Sequence, residues 1–197
     1  PRPSKAYAEN EHAYASPTIY RDSERAFLLT HGADLIVAHD LDTCEEIWRS
    51  GGLNPPYKYD RTLRLVASPV AAEGIIVAPS AKRSPLIAVR PDGSGDITDS
   101  DTYRLWTHKR TPDVPTPVIH DGLVYLCMEN GNLSCLDAKT GEPYYKEERT
   151  HRQKHRASPI YADGHLYLTA RDGRITVVKA GTEFEVVSVN EMEESLA

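Results

Sequence analysis

Four times along the chain the same phrase restarts. It reads ASPTIY from Ala15, ASPVAAEGIIVAP from Ala67, PTPVIHDGLVYLCMENGNLSCLDAKTGEPYY from Pro115 and ASPIYADGHLYLTARDGRITVVKAGTEFEVV from Ala157. The Ser/Thr-Pro steps fall at 16, 68, 116 and 158. A repeat of roughly 40–50 residues is one supersecondary unit that cannot bury its apolar face alone, so neighbouring copies must stack. This constrains the fold more than any other feature of the sequence.

The interior of each copy says what the unit is. Six residues after Ser68, Thr116 and Ser158 come Gly74, Gly122 and Gly164, and Gly131 and Gly173 follow nine residues later in the last two copies. GLVYLCMENGNLSCLD is apolar alternation, an Asn-Gly turn and alternation again, a hairpin signal. GHLYLTARDGRITVVK repeats it around Asp172-Gly173, and RAFLLTHGADLIVAHD is a degenerate version in the first copy. A second signature follows: DLDTCEEIW at 40–48 and DAKTGEPYY at 137–145 share Asp-x-x-Thr-(Gly/Cys)-Glu, with an aromatic three residues on, Trp48 or Tyr145. Asp caps such a turn and Gly supplies positive φ. Cys44 in the Gly position predicts a turn that is less regular or locally strained. Trp106 and Phe184 are expected in corresponding places, packing each turn on a neighbouring unit.

Four short strands per copy and no helical periodicity predict an all-β β-propeller with four blades of four antiparallel strands. A sandwich is the competing all-β architecture, but its strands do not repeat as a fourfold motif. The blades are expected at about 16–52, 68–110, 116–149 and 158–190 of a single partial-propeller domain spanning 1–197. No apolar run reaches the ~18–20 residues of a membrane-spanning helix, and no signal peptide is visible. The three cysteines, Cys44, Cys127 and Cys135, do not form a disulfide scaffold. Cys127 and Cys135 lie on paired strands, where they either bridge or fill core positions as free thiols.

DAKTGE, AHDLDTCEEIW and the Ser-Pro strand starts resemble PQQ-like (quinoprotein-type) propeller repeats, related to the BamB-like outer-membrane assembly lipoproteins. The resemblance covers essentially the whole chain. It implies an eight-bladed ring of which this chain supplies half, completed by the rest of the same protein or by a second copy. It also implies a bacterial, periplasmic or otherwise extracytoplasmic setting. A propeller hosts many activities, so the fold does not assign one. The dehydrogenases of this class imply a PQQ pocket with adjacent cysteines, a Ca²⁺ held by Glu, Asn and Asp, and an Asp base. No Cys-Cys pair is present and no such trio maps onto the motif. We therefore expect no catalytic, cofactor-binding or metal residues here, with PQQ and Ca²⁺ entering only if the chain is part of a dehydrogenase.

Other candidate sites are weaker. DGSGDITDSD at 92–101 offers Asp92, Ser94 and Asp96 at alternate positions like a calcium loop. Glycine is missing from its sixth position and Tyr103 occupies the twelfth, so a solvated loop is expected. Of eight histidines only His151 and His155 are close in sequence. Charge is more informative. In an antiparallel blade of strands A to D, the B–C turns and the D–A junctions emerge at one end and the A–B and C–D turns at the other. The first set sums to net positive and the second to a larger net negative, within a chain of net charge −6. The expected basic face holds Lys58, Arg61, Arg64, Lys109, Arg110, Arg149, Arg152, Lys154 and Arg156. Such a face suits an anionic ligand or acidic protein. Nucleic acid is not expected, because no aromatic platform accompanies the charge. The sequence thus points to a non-enzymatic binding or scaffold propeller. Part of a quinoprotein dehydrogenase is the alternative, and a sensor or interaction domain of a larger protein is the third.

Overall fold

The computed structural model describes residues 12–32, 34–54, 64–82 and 84–192. The described residues are strands, turns and loops, with no helix among them. The chain divides into two compact units, Pro1–Asp113 and Val114–Ala197.

The first unit holds two sheets. One is formed by β1 (Thr18–Arg21), β2 (Ala26–Gly32), β3 (Leu35–Asp40) and β4 (Glu46–Ser50), with β8 (Gly95–Asp96) added outside β4. The other is β5 (Val70–Ala72), β6 (Ile75–Ala78), β7 (Leu86–Val89) and β9 (Arg104–His108). The second unit also holds two: β10 (Val118–His120), β11 (Leu123–Cys127), β12 (Asn132–Asp137) and β13 (Pro143–Arg149), then β14 (Ile160–Ala162), β15 (His165–Thr169), β16 (Arg174–Lys179) and β17 (Val186–Glu191). Within each blade, consecutive strands pair antiparallel, and each third-to-fourth strand ladder carries a bulge near its start, as between Ala38 and His39 or Val177 and Val178. This is a partial β-propeller of four-stranded blades.

Sheets stack because the inner strands carry apolar side chains on the faces that meet, and β6 and β7 are buried along their whole length. In the first unit Phe27, Leu29, Ile36, Ala38 and Trp48 of the first blade close on Ile76, Ala78, Ile87 and Val89 of the second. In the second unit Tyr125, Cys127, Leu133, Cys135 and Tyr145 close on Leu166, Leu168 and Val178. The repeated Ser/Thr-Pro words tie the blades at the other end of the strand ladder. Ser16 N–H donates to Ser68 Oγ at 2.9 Å, and Thr116 N–H donates to Ser158 Oγ at 3.0 Å. The recurring serine is thus the acceptor that joins adjacent first strands.

The Asp-x-x-Thr turns are superimposable in their bonding. Asp40 Oδ1 accepts from Asp42 N–H, Thr43 N–H and the Thr43 hydroxyl, at 3.0, 2.8 and 3.0 Å. Asp137 Oδ1 accepts from Lys139 N–H, Thr140 N–H and the Thr140 hydroxyl at 2.9, 2.8 and 3.0 Å. Bonds to the charged form hold both carboxyls below the usual range. Cys44 adopts φ 60°, beside 72° at Gly141. The turn is therefore as regular as its partner, so of the two expected outcomes it is the local strain that is seen. What strain exists is confined to placing a Cβ in the left-handed region.

One expectation is corrected and another extended. Phe184 does not correspond to Trp48 and Tyr145. Trp48 pairs with Ala38, Trp106 with Ala88 and Tyr145 with Cys135, whereas Ser188 holds that register opposite Val177. Phe184 sits in the preceding turn, edge-on to Tyr145 with ring centroids 5.6 Å apart. Residues 92–101 are exposed at Ser94, Gly95, Asp96, Asp99 and Asp101, as a solvated loop would be, but they are also anchored. They form a strap across the rim of the first blade: Trp48 pairs with Gly95 and Arg49 with Asp96 in parallel, and Ile97 N–H donates to Arg49 O at 2.9 Å. Ile97 is buried against Trp48, whose Nε1–H donates to Pro91 O at 3.1 Å. A Cβ at Gly93 would press on Ile97 and Trp48. The sequence showed the acidic residues of this stretch and hid the one isoleucine that anchors it.

Cys127 and Cys135 are free thiols buried on β11 and β12, and burial pushes both up to about 12. At such values the thiolate is scarce and the groups are inert.

Candidate anion-binding loop face

Ladder hydrogen bonds decide which loops share an end. In the second unit Thr150 N–H donates to Gly131 O at 3.1 Å, His155 N–H to Glu129 O at 2.9 Å and Arg171 N–H to Lys154 O at 2.9 Å. The junction 150–156 is therefore pinned onto both B–C turns. At the opposite end Ala138 N–H donates to Gly122 O at 2.9 Å and Ala180 N–H to Gly164 O at 2.8 Å, so A–B and C–D turns meet there.

Each end has its own sign. The junction end gathers exposed Arg149, Arg152, Lys154, Arg156 and Arg171 against Glu129 and Asp172. The other end carries Asp121, Asp137, Glu142, Asp163, Glu183 and Glu185 against Lys139 and Lys179. Arg152, Lys154 and Arg156 have no acidic partner among the described residues, whereas Arg174 at the rim is paired with Glu191 at 2.6 Å.

The junction is tied down by hydrogen bonds where it bears these cations. His151 Nε2 lies 2.7 Å from Asp172 Oδ2, and this contact holds the Asp172 carboxyl below its usual range. His155 is buried, with Nδ1 2.9 Å from Gln153 O and Nε2 without a partner. Desolvation lowers its basicity, so it is neutral at pH 7. Gly131 is required at the crossing: at φ 81° a Cβ would run into His151 O and the His155 ring. The close pair His151 and His155 is thus a fastening for the junction. Its signal in the sequence was the Asn-Gly turn opposite an Asp-Gly turn, which a His spacing alone does not reveal.

In the first unit Arg64 is exposed just before Leu65, whose N–H donates to His12 O at 3.0 Å. Lys109 and Arg110 follow β9, with His108 Nδ1 2.7 Å from Arg110 O. Lys58 and Arg61 lie outside the described residues. The structure thus brings Arg149, Arg152, Lys154 and Arg156 together in the second unit, and Arg64, Lys109 and Arg110 belong to the first. Arg171 was not singled out in the sequence. It joins the cluster because Arg171 N–H bonds Lys154 O, a pairing that only the fold creates. Among the described residues no three His, Cys, Asp or Glu gather as a metal site, and no helix is long and apolar enough to cross a membrane.

These blades make the chain a β-propeller repeat protein of the PQQ-like class. It belongs to the family described as outer membrane protein assembly factor BamB, whose sequence profile matches residues 32–183. A search of curated protein sequences finds no match. Among solved structures, BamB from Moraxella catarrhalis superposes with a TM-score of 0.66 at 15% identity, over 95% of this chain and 54% of that one. The computationally designed protein Ika8 gives 0.64 at 16% identity over 95% and 52%, and the designed Ika4 gives 0.57 at 14% over 90% and 94%. The chain therefore spans about half the length of the BamB structure it matches, and likenesses at these identities speak for the fold alone.

Proposed function

We propose that the chain is a non-enzymatic binding propeller that holds an anionic ligand or the acidic surface of a protein partner through its basic loop end. The observation that carries this reading is the junction 150–156, fastened by His151–Asp172 and by three backbone bonds while Arg152, Lys154 and Arg156 stand exposed without acidic partners among the described residues. A pre-ordered loop offers its charges without a large ordering cost on binding, and clustered cations raise the local concentration of anions. Membership in a family described as an outer-membrane assembly factor favours a protein partner and an extracytoplasmic setting. The remaining blades of a ring, in the same protein or in a second copy, are a further expected neighbour.

The test is retention on a polyanion column against salt. The chain is expected to elute later than a neutral control, and replacing Arg152, Lys154 and Arg156 by Gln is expected to abolish the difference. Retention equal to the control, or unchanged by the replacements, overturns the reading.

A further inference from the structure

We infer that the free edge of β17 is a docking strip for an extended, basic peptide segment of a partner, which adds to the fourth blade as a parallel fifth strand. Four fourth strands can be compared within one chain. That of the first blade, β4, already has a fifth strand, the strap at Gly95–Asp96. β13 is protected by Lys146, Glu147, Glu148 and Arg149 and by a kink at Glu147, φ 51°. β9 carries Arg104 and His108 at its ends. Charges and irregularities of this kind are what keep edge strands from pairing. β17 has only the bulge that all four ladders share and one charge at its last residue, Glu191: its first five residues are Val186, Val187, Ser188, Val189 and Asn190, all six of its residues are exposed, and β16 is its only strand partner among the described residues. The three valines are 41%, 50% and 52% exposed.

The strap on β4 supplies the geometry of the guest. Matching the two bulges sets Trp48 against Ser188 and Arg49 against Val189. Ile97 N–H donates to Arg49 O, so the carbonyl of Val189 is the acceptor that points outward. In the first blade the space beside the guest is filled by the Trp48 indole and Ile97 together. In the fourth, Ser188 is small, which leaves room for an aromatic side chain on the guest. Charge selects the guest's flanks. No Lys or Arg occurs from 180 to 197, against Glu183, Glu185, Glu191, Glu193 and Glu194. Lys179 and Arg174 pair with Glu185 and Glu191 and leave the strip acidic. The same charge opposes pairing of β17 with β17 of a second copy, since like charges across an antiparallel pair are destabilising. Strand addition of this kind draws affinity from main-chain bonds and specificity from alternate side chains.

The probe is a fluorescent peptide Pro-Lys-Gly-Ser-Gly-Lys-Phe-Thr-Lys, the strap pattern with lysine for aspartate and phenylalanine for isoleucine. It is titrated into the full chain and followed by anisotropy. Saturable binding is expected, weakened at least about tenfold when the phenylalanine nitrogen is methylated and cannot donate. V189K is expected to weaken binding similarly by repelling the guest. V189P removes an outward N–H by the same logic, and the far-ultraviolet spectrum confirms that either variant is folded. Three results overturn the inference: equal binding of the methylated peptide, binding unchanged in both folded variants, or no binding up to about 1 mM peptide. Concentration-dependent self-association that V189K abolishes, with no peptide binding, assigns the edge to a second copy and also overturns it.

Discussion

His31 makes the stability of the first unit depend on pH in a way that can be calculated. It lies on β2 with its side chain buried, and burial drives its pKa from the ordinary 6.5 down to about 4, with the Ala67 backbone pulling weakly the other way. The folded protein therefore keeps the ring neutral between those values while the unfolded chain protonates it. The unfolded state binds more protons, so stability falls as pH drops through 6.5 and levels off near 4. At pH 5 the loss relative to pH 7.5 is about 2 kcal/mol from this residue. His155, also buried and lowered, adds a loss of the same sign. Urea unfolding of the native chain and of His31→Leu at pH 7.5 and 5 isolates the first contribution. Leucine fills the site without a titratable group, so the acid-induced loss is expected to shrink by about 2 kcal/mol. An identical loss in both proteins refutes the argument and means that the ring is solvated or charged in the fold.

Other expected outcomes follow from the repeated turns and the blade contacts. Cys44→Gly relieves a Cβ at φ 60° and should stabilise by up to about 1 kcal/mol, because the left-handed cost for a non-glycine exceeds the extra freedom of glycine in the unfolded chain; thermal unfolding at neutral pH measures it. Tyr125→Phe removes the hydroxyl that accepts from Gly181 N–H at 2.8 Å and should cost about 1–2 kcal/mol, read in the urea midpoint.

The fold was legible because its determinants are local and repeated. Asn-Gly and Asp-Gly turns, alternation over five or six residues and the Asp-x-x-Thr cap each specify a hairpin or corner without help from the rest of the chain. Stacking then follows from the uncovered apolar sides. The strap was not legible, because its only apolar anchor, Ile97, is embedded among Asp92, Asp96, Asp99 and Asp101, and a parallel pairing of two residues leaves no periodicity. Phe184 misled because an aromatic at a plausible distance from the turn lies on the wrong side of the bulge, and a bulge cannot be counted from sequence. The charged face was half visible. Antiparallel order assigns loops to ends, so Arg149, Arg152, Lys154 and Arg156 could be grouped. Arg171 and the His151–Asp172 fastening depend on contacts between blades.

Anions are expected to bind at the end of the second unit that bears the junction 150–156 and not at the acidic end. The direct measurement is a two-dimensional NMR titration of the isotope-labelled chain with dextran sulfate. Shifts are expected to cluster at 149–156 and 170–172, to diminish with added salt and to leave 121–122, 137–142 and 179–185 in place. Shifts spread evenly over both ends, or absent from the junction, would contradict the account.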